Sequence, residues 1–65
     1  MITINGKKRT LPKEASIALL LEELQLNHQP CAVEINKKLI PHQKHSKQAI
    51  KDGDVIEIVT IVGGG

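Results

Sequence analysis

The sequence has no phenylalanine, tryptophan or tyrosine among its 65 residues, so its core must be aliphatic. Nine isoleucines, seven leucines and four valines supply that core, a composition typical of a folded domain rather than a disordered chain. The length is sufficient for one small domain. The missing aromatic rings also remove the stacking surface used for single-stranded nucleic acid, and a net charge of +2 is too small to indicate a nucleic-acid partner.

Cysteine and long apolar runs are scarce as well. The single cysteine, Cys31, cannot form an internal disulfide, so we expect a domain stabilised by packing in a reducing compartment, the cytoplasm. The N-terminal segment is short, alternating and quickly polar, unlike a signal peptide, and no run approaches the ~18 apolar residues of a membrane span. We therefore expect no membrane partner.

Few residue groupings could catalyse a reaction or bind a metal. There is no glycine-rich phosphate loop and no cysteine pair with zinc-ligand spacing. Cys31 has no positioned base in the sequence, which favours a packed, passive thiol. His42 and His45 could hold a metal between two imidazoles, but without a neighbouring carboxylate or thiolate we expect them to be solvated loop histidines. The sequence predicts no catalytic residue and no metal site.

Charge is distributed unevenly along the chain. Residues 37–51 contain no acid, whereas residues 52–65 contain three acids and no base. The lysines of the basic stretch are Lys37, Lys38, Lys44, Lys47 and Lys51. Two interpretations stay open, a solvated face and a basic docking surface for an acidic partner. Asp52 and Asp54, which flank Gly53, favour a plain turn over a cation site.

The pattern of apolar residues predicts five strands and one helix. Residues 2–5 alternate, Asn5-Gly6 is the signal of a tight hairpin, and a second strand should cover about 8–11. Ser16 is a candidate helix N-cap, and the helix should end near Leu26. Its apolar stripe consists of Ile17, Leu20, Leu21 and Leu24, with Leu19 off the stripe and half exposed. Further strands are predicted over 31–35, 39–40 and 55–62, with a polar connection and room for one helical turn over 42–51.

This order of elements predicts an α+β fold. A hairpin, a helix and a return to the sheet give a ββαββ mixed sheet with one helix packed on one face, the β-grasp or ubiquitin-like arrangement. The strand over 55–62 is the most β-branched and should be central. We expect a β-grasp domain over residues 1–62 and a flexible glycine tail over residues 63–65.

The last predicted strand is apolar on both faces. Ile56 and Ile58 share one face, and Val55, Val59 and Ile61 share the other. A strand buried on both sides would explain this pattern, but one helix covers only one face of a sheet. The alternative is an exposed apolar patch, which indicates a binding partner.

The last three residues of the sequence are Gly63, Gly64 and Gly65, and packing cannot explain them because glycine has no side chain to bury. A frayed end is one interpretation. The other is a slender tail that threads a narrow tunnel and delivers its α-carboxylate to another enzyme. Four residues from Val62 can reach about 13 Å at ~3.3 Å each, beyond the domain surface.

Five segments span almost the whole chain: INGK, IALLLEEL, AVEINKKLIP, IKDGDVIEIV and the terminal GGG. Together, and in this order, they resemble the ThiS family of small sulfur carriers in thiamine biosynthesis. His42 departs from the pattern, since the family often has arginine after the proline. The diglycine of the family corresponds to Gly64 and Gly65.

The resemblance implies a carrier rather than an enzyme. An E1-like (ThiF-type) enzyme would use ATP to adenylate the Gly65 carboxylate, and a sulfur donor protein would convert it to a thiocarboxylate. A thiazole synthase (ThiG-type) would then take the sulfur. AMP and sulfur would be transient modifications of Gly65, with no bound cofactor, and Gly63 and Gly64 would form the tail inside the partner's active site. Val59, Ile61 and Val62 are the predicted partner surface.

Three alternatives remain open from the sequence. A molybdopterin-synthase small subunit has the same carboxylate chemistry but is typically longer. A ubiquitin-like modifier would join Gly65 to lysines of target proteins. A basic binding module would have no use for the tail.

Overall fold

The computed structural model describes residues 1–11 and 16–61, and these form five strands, one α-helix and one 3-10 turn. The strands are β1 (Ile2–Ile4), β2 (Lys7–Arg9), β3 (Cys31–Ile35), β4 (Lys38–Ile40) and β5 (Val55–Thr60). The helix α1 covers Ile17–Glu23, and the 3-10 turn covers His42–Lys44. The predicted order of elements is confirmed, and the single helical turn lies within the predicted polar connection.

The strands form one mixed sheet in the order β2-β1-β5-β3-β4. β5 pairs in parallel with β1 and antiparallel with β3, and both hairpins are antiparallel. The expected central position of β5 is therefore confirmed. This topology is the β-grasp fold, with the two hairpins on either side of the last strand.

One apolar layer lies between the sheet and α1. Ile56 and Ile58 face it from β5, as the alternation predicts. Leu24 packs against its margin, and Leu19 is 51% exposed, so the predicted helix stripe and its off-stripe leucine are both confirmed. Among the described residues, the buried apolar side chains are those of Ile2, Ile4, Ile17, Leu20, Leu21, Val33, Ile35, Ile40, Ile50, Ile56 and Ile58.

Helix α1 begins where the sequence predicts and ends earlier. The Ser16 hydroxyl accepts a hydrogen bond from the Leu19 amide at 3.2 Å, the expected N-cap. Gln25 has φ of 61°, and the Leu26 amide bonds back to the Leu21 carbonyl at 2.8 Å. The helix therefore ends about one turn before the predicted end at Leu26, because the left-handed Gln25 turns the chain out of the helix.

Both hairpins turn at an asparagine with positive φ. Asn5 and Gly6 have φ of 50° and 83°, and Asn36 and Lys37 have φ of 52° and 70°. Two successive residues with positive φ are typical of the tight turn that matches the twist of a hairpin. The predicted turn at Asn5-Gly6 is confirmed, and β2 begins directly after it, one residue earlier than expected.

The two asparagine side chains also hold the central strand. Asn5 accepts a hydrogen bond from the Ile58 amide at 2.8 Å and donates one to the Ile58 carbonyl at 3.1 Å. Asn36 accepts from the Val55 amide at 3.0 Å. Each hairpin therefore bonds to β5 through its turn as well as through its strands. Within the described residues, no helix is long and apolar enough to cross a bilayer.

Candidate functional site

The central strand leads directly toward the predicted tail. Past the end of β5, the Ile61 amide donates a hydrogen bond to the Pro30 carbonyl at 2.9 Å, which ties this position to the loop before β3. The predicted modification site at Gly65, the tail residues Gly63 and Gly64, and the surface residue Val62 lie outside the described residues. The described part of the site is therefore the surface around the end of β5.

The sheet face opposite the helix is open along β5. Val59 is 61% exposed and Ile61 is 53% exposed, and Val55 is also exposed. Ile56 and Ile58 are buried on the other face. Strand β5 is therefore buried on one face only, and its other face presents the exposed apolar patch. An apolar strip beside the chain exit is the type of surface that a partner covers.

A carboxylate on β5 interrupts this strip, and a second one lies beside it on β3. Glu57 of β5 lies directly opposite Glu34 of β3, and both are exposed. Like charges in such a cross-strand pair destabilise a sheet. A lysine, Lys37, lines the same shallow depression as the two glutamates. Sequence reasoning missed the pair because the two residues are separated in the chain and meet only through the β3–β5 register.

Cys31 is half buried, as a packed thiol should be. Its Sγ lies 3.5 Å from the Gln29 carbonyl and 3.7 Å from the Leu26 carbonyl, and the side chain packs against the core. These contacts agree with a passive structural role. No base is among its hydrogen-bond partners in the described part of the chain.

The two histidines differ, and the expectation of two solvated rings is wrong for His45. His42 is exposed, whereas His45 is only 5% exposed and its Nε2 donates to the Ile40 carbonyl at 3.0 Å. The His45 carbonyl accepts from the Ala18 amide at 3.1 Å, so this residue connects β4 to the start of α1. Across residues 1–11 and 16–61, no three or more His, Cys, Asp or Glu side chains are grouped to hold a metal ion.

The Asp52-Gly53-Asp54 segment forms the predicted turn. Gly53 has φ of 90°, and one oxygen of Asp54 accepts from the Lys51 amide at 2.8 Å. The other accepts from the Asn36 side chain at 3.1 Å. Asp54 therefore organises the entry of β5 beside the second hairpin.

The fold and this surface define a small β-grasp domain with an apolar strip beside the exit of its C-terminal segment. The family model described as "ThiS family" matches residues 2–65, so the chain belongs to the ThiS family. The resemblance inferred from the sequence segments is confirmed.

Three similar proteins cover nearly all of the chain. The "Sulfur carrier protein ThiS" of Bacillus subtilis is 39% identical over 66 residues, covering 100% of both chains. A "Thiazole synthase" of Paramagnetospirillum magneticum is 36% identical over 64 residues, which are 98% of this chain and 20% of that protein. The crystal structure of a thiamine biosynthesis protein (ThiS) from Geobacter metallireducens superposes with a TM-score of 0.81 at 28% identity, covering 98% of this chain and 97% of that one.

Proposed function

We propose that this chain is a sulfur carrier in thiamine biosynthesis, a protein substrate of other enzymes rather than an enzyme itself. The observation that carries the proposal is the end-to-end similarity to a protein named as a sulfur carrier. The family match and the shared fold support the same function.

In the proposed reaction, the chemistry takes place at the α-carboxylate of Gly65. An E1-like enzyme would join this carboxylate to the AMP moiety of ATP and release pyrophosphate, which converts a poor electrophile into an acyl-adenylate. The terminal sulfur of a persulfide donor would displace AMP and form an acyl disulfide with the donor. A second thiol would reduce that acyl disulfide, which releases the Gly65 thiocarboxylate and leaves the two thiols joined as a disulfide. Thiazole synthase would take that sulfur, and the carboxylate would return unchanged.

The role proposed for the glycines is steric. A tunnel that admits only a polypeptide backbone would exclude any residue with a side chain, and Gly63, Gly64 and Gly65 have none. The hydrogen bond from Ile61 to Pro30 supports a fixed point from which the last residues extend. The domain would thus be held outside the partner while its end reaches the reacting atoms.

The exposed strip beside the chain exit is the proposed docking surface. Val59 and Ile61 present apolar area that nothing in the described residues covers, and Val62 follows them in the chain. Similarity to one fifth of a protein named thiazole synthase supports that enzyme as one partner, because a carrier joined to its acceptor needs no separate encounter. The adenylating enzyme is the proposed second partner.

Intact mass spectrometry of the protein recovered from cells tests the carboxylate chemistry. Replacement of one oxygen by sulfur adds about 16 Da, the same nominal shift as oxidation of Met1, so fragmentation must place the shift on Gly65. A shift on Gly65 that requires the adenylating enzyme would support the proposal. An isopeptide bond from Gly65 to lysine would instead identify a protein modifier. Full activity after deletion of Gly64 and Gly65 would refute any function that needs the tail.

Substitutions on the strip test the docking surface separately. Val59→Thr and Ile61→Thr keep β-branched side chains and remove apolar contact with the partner. Each should weaken the binding free energy to the adenylating enzyme by about 1 kcal/mol and so raise the KM for adenylation about fivefold. Leu19→Gln, at a comparably exposed leucine on the helix, is the matched control and should leave KM unchanged. Equal effects of all three substitutions would show that the strip is not the surface recognised.

A further inference from the structure

Three lysines of the basic stretch converge on one groove beside the β4 edge. Lys38 comes from β4, Lys44 from the 3-10 turn and Lys51 from the segment before β5, and all three line a groove of about 380 Å³. Lys47, in the same stretch, is exposed and does not line it. The fold thus gathers three of the five lysines around one cavity and leaves the others outside.

The groove keeps an excess of positive charge. Asp54 is the acidic residue that lines it among those described, and both of its carboxylate oxygens already accept hydrogen bonds, from the Asn36 side chain and the Lys51 amide. Three lysines therefore line the groove together with one carboxylate, and the fold already uses that carboxylate. Such a groove attracts an anionic ligand.

The groove also borders an open strand edge. β4 is the outermost strand, and its register places Leu39 opposite Glu34, between the pairs of Lys38 with Ile35 and Ile40 with Val33. In a hairpin with a two-residue turn, the pair next to the turn exchanges both backbone hydrogen bonds; here that pair is Ile35 and Lys38. Hydrogen-bonded and non-hydrogen-bonded pairs alternate along the hairpin, so the Leu39 amide and carbonyl point away from β3. Within the described residues nothing bonds to these two groups, and the Leu39 side chain is exposed.

We propose that this groove binds an extended acidic segment of a partner protein. Its backbone pairs with the Leu39 amide and carbonyl, and its carboxylates lie against the three groove lysines, Lys38, Lys44 and Lys51. The combination of an open edge, the exposed Leu39 side chain and three lysines favours a peptide strand. The groove contains no aromatic side chain on which a nucleobase could stack.

This site is separate from the C-terminal tail. The groove is lined by Ile35, which pairs with Ile56 near the start of β5, whereas Cys31 pairs with Thr60 at the other end. Four residues of strand separate the two ends, about 13 Å at ~3.3 Å each. A partner segment in the groove leaves the chain exit free, so the groove adds an attachment point that does not depend on the proposed sulfur chemistry.

Titration of the isotope-labelled full-length protein with a short peptide tests the proposal. The probe is a five-residue peptide with four glutamates around a central leucine, acetylated and amidated at its ends. We expect the largest changes in amide chemical shift at Leu39, Gln48 and Ala49, and weaker binding at high salt. Changing all three groove lysines to glutamine should weaken binding about tenfold.

A charge-matched variant separates the groove from net charge. It replaces three lysines that do not line the groove, Lys7, Lys8 and Lys47, by glutamine, and it should bind the peptide as the parent does. A peptide with an N-methylated leucine should bind more weakly, because it cannot donate to the strand edge. Equal weakening in the two triple variants, or no binding at millimolar peptide, would overturn the proposal. Equal binding of inorganic phosphate or of an octameric oligothymidylate at the groove would also overturn it.

Discussion

Replacement of Asn5 by glycine tests how much the Asn5 side chain stabilises the contact between the first hairpin and the central strand β5. Glycine adopts φ near 50° without strain, so the turn is retained, while the two hydrogen bonds to the Ile58 backbone are lost. Each bond contributes about 1 kcal/mol net, and a partly buried group left without a partner costs about 1–3 kcal/mol. We expect the free energy of unfolding to fall by about 2 kcal/mol, a large share of the roughly 3–10 kcal/mol available to a domain of this length.

Urea unfolding followed by far-ultraviolet circular dichroism is the appropriate assay, because the protein has no tryptophan or tyrosine to report by fluorescence. The dependence on urea should keep its slope while the midpoint falls. Asn36→Gly is the matched control, since it also removes two side-chain hydrogen bonds, to the Val55 amide and the Asp54 carboxylate. Both of these bonds are exposed, so their loss should lower the free energy of unfolding by about 1 kcal/mol or less. A loss below about 0.5 kcal/mol for Asn5→Gly, or one no larger than that of the control, would refute this account.

Three other predictions concern the same folded domain. Lys37→Gly should raise the free energy of unfolding by about 0.5–1 kcal/mol, because φ of 70° strains a residue with a Cβ atom, and a lower urea midpoint would contradict this. His45→Ala should lower it by about 2 kcal/mol through a lost buried hydrogen bond and an unfilled space, whereas exposed His42→Ala should change it by less than about 0.5 kcal/mol. In thermal unfolding, Leu20→Ala should lower the free energy of unfolding by about 2–5 kcal/mol and Leu19→Ala by less than about 1 kcal/mol. Similar losses for the two variants would refute the assigned helix face.

Features that depend on neighbouring residues could be predicted. The Asn5-Gly6 turn, the Ser16 cap and the leucine stripe of the helix follow from local backbone preferences and a period of 3.6 residues. The end of α1 could not, because the left-handed Gln25 has no sequence signal of the kind glycine supplies.

Some features of the candidate site could also be predicted from the sequence, and others could not. The two faces of β5 were visible in its alternation, and the structure shows which face is open. The burial of His45 was not visible, because its partner is a backbone carbonyl, that of Ile40, and any residue has one. The grouping of three lysines in one groove could not be predicted, because it depends on how residues 41–51 fold against β4.

The sequence by itself determined the order of elements, the aliphatic core and the family, because periodicity and short segments are properties of the chain. Tertiary structure alone decided the open face of the sheet, the Glu34–Glu57 pair and the basic groove. These features depend on the register of strands that are distant in sequence. Such pairings are selected by the packing of the whole domain, and no local pattern specifies them.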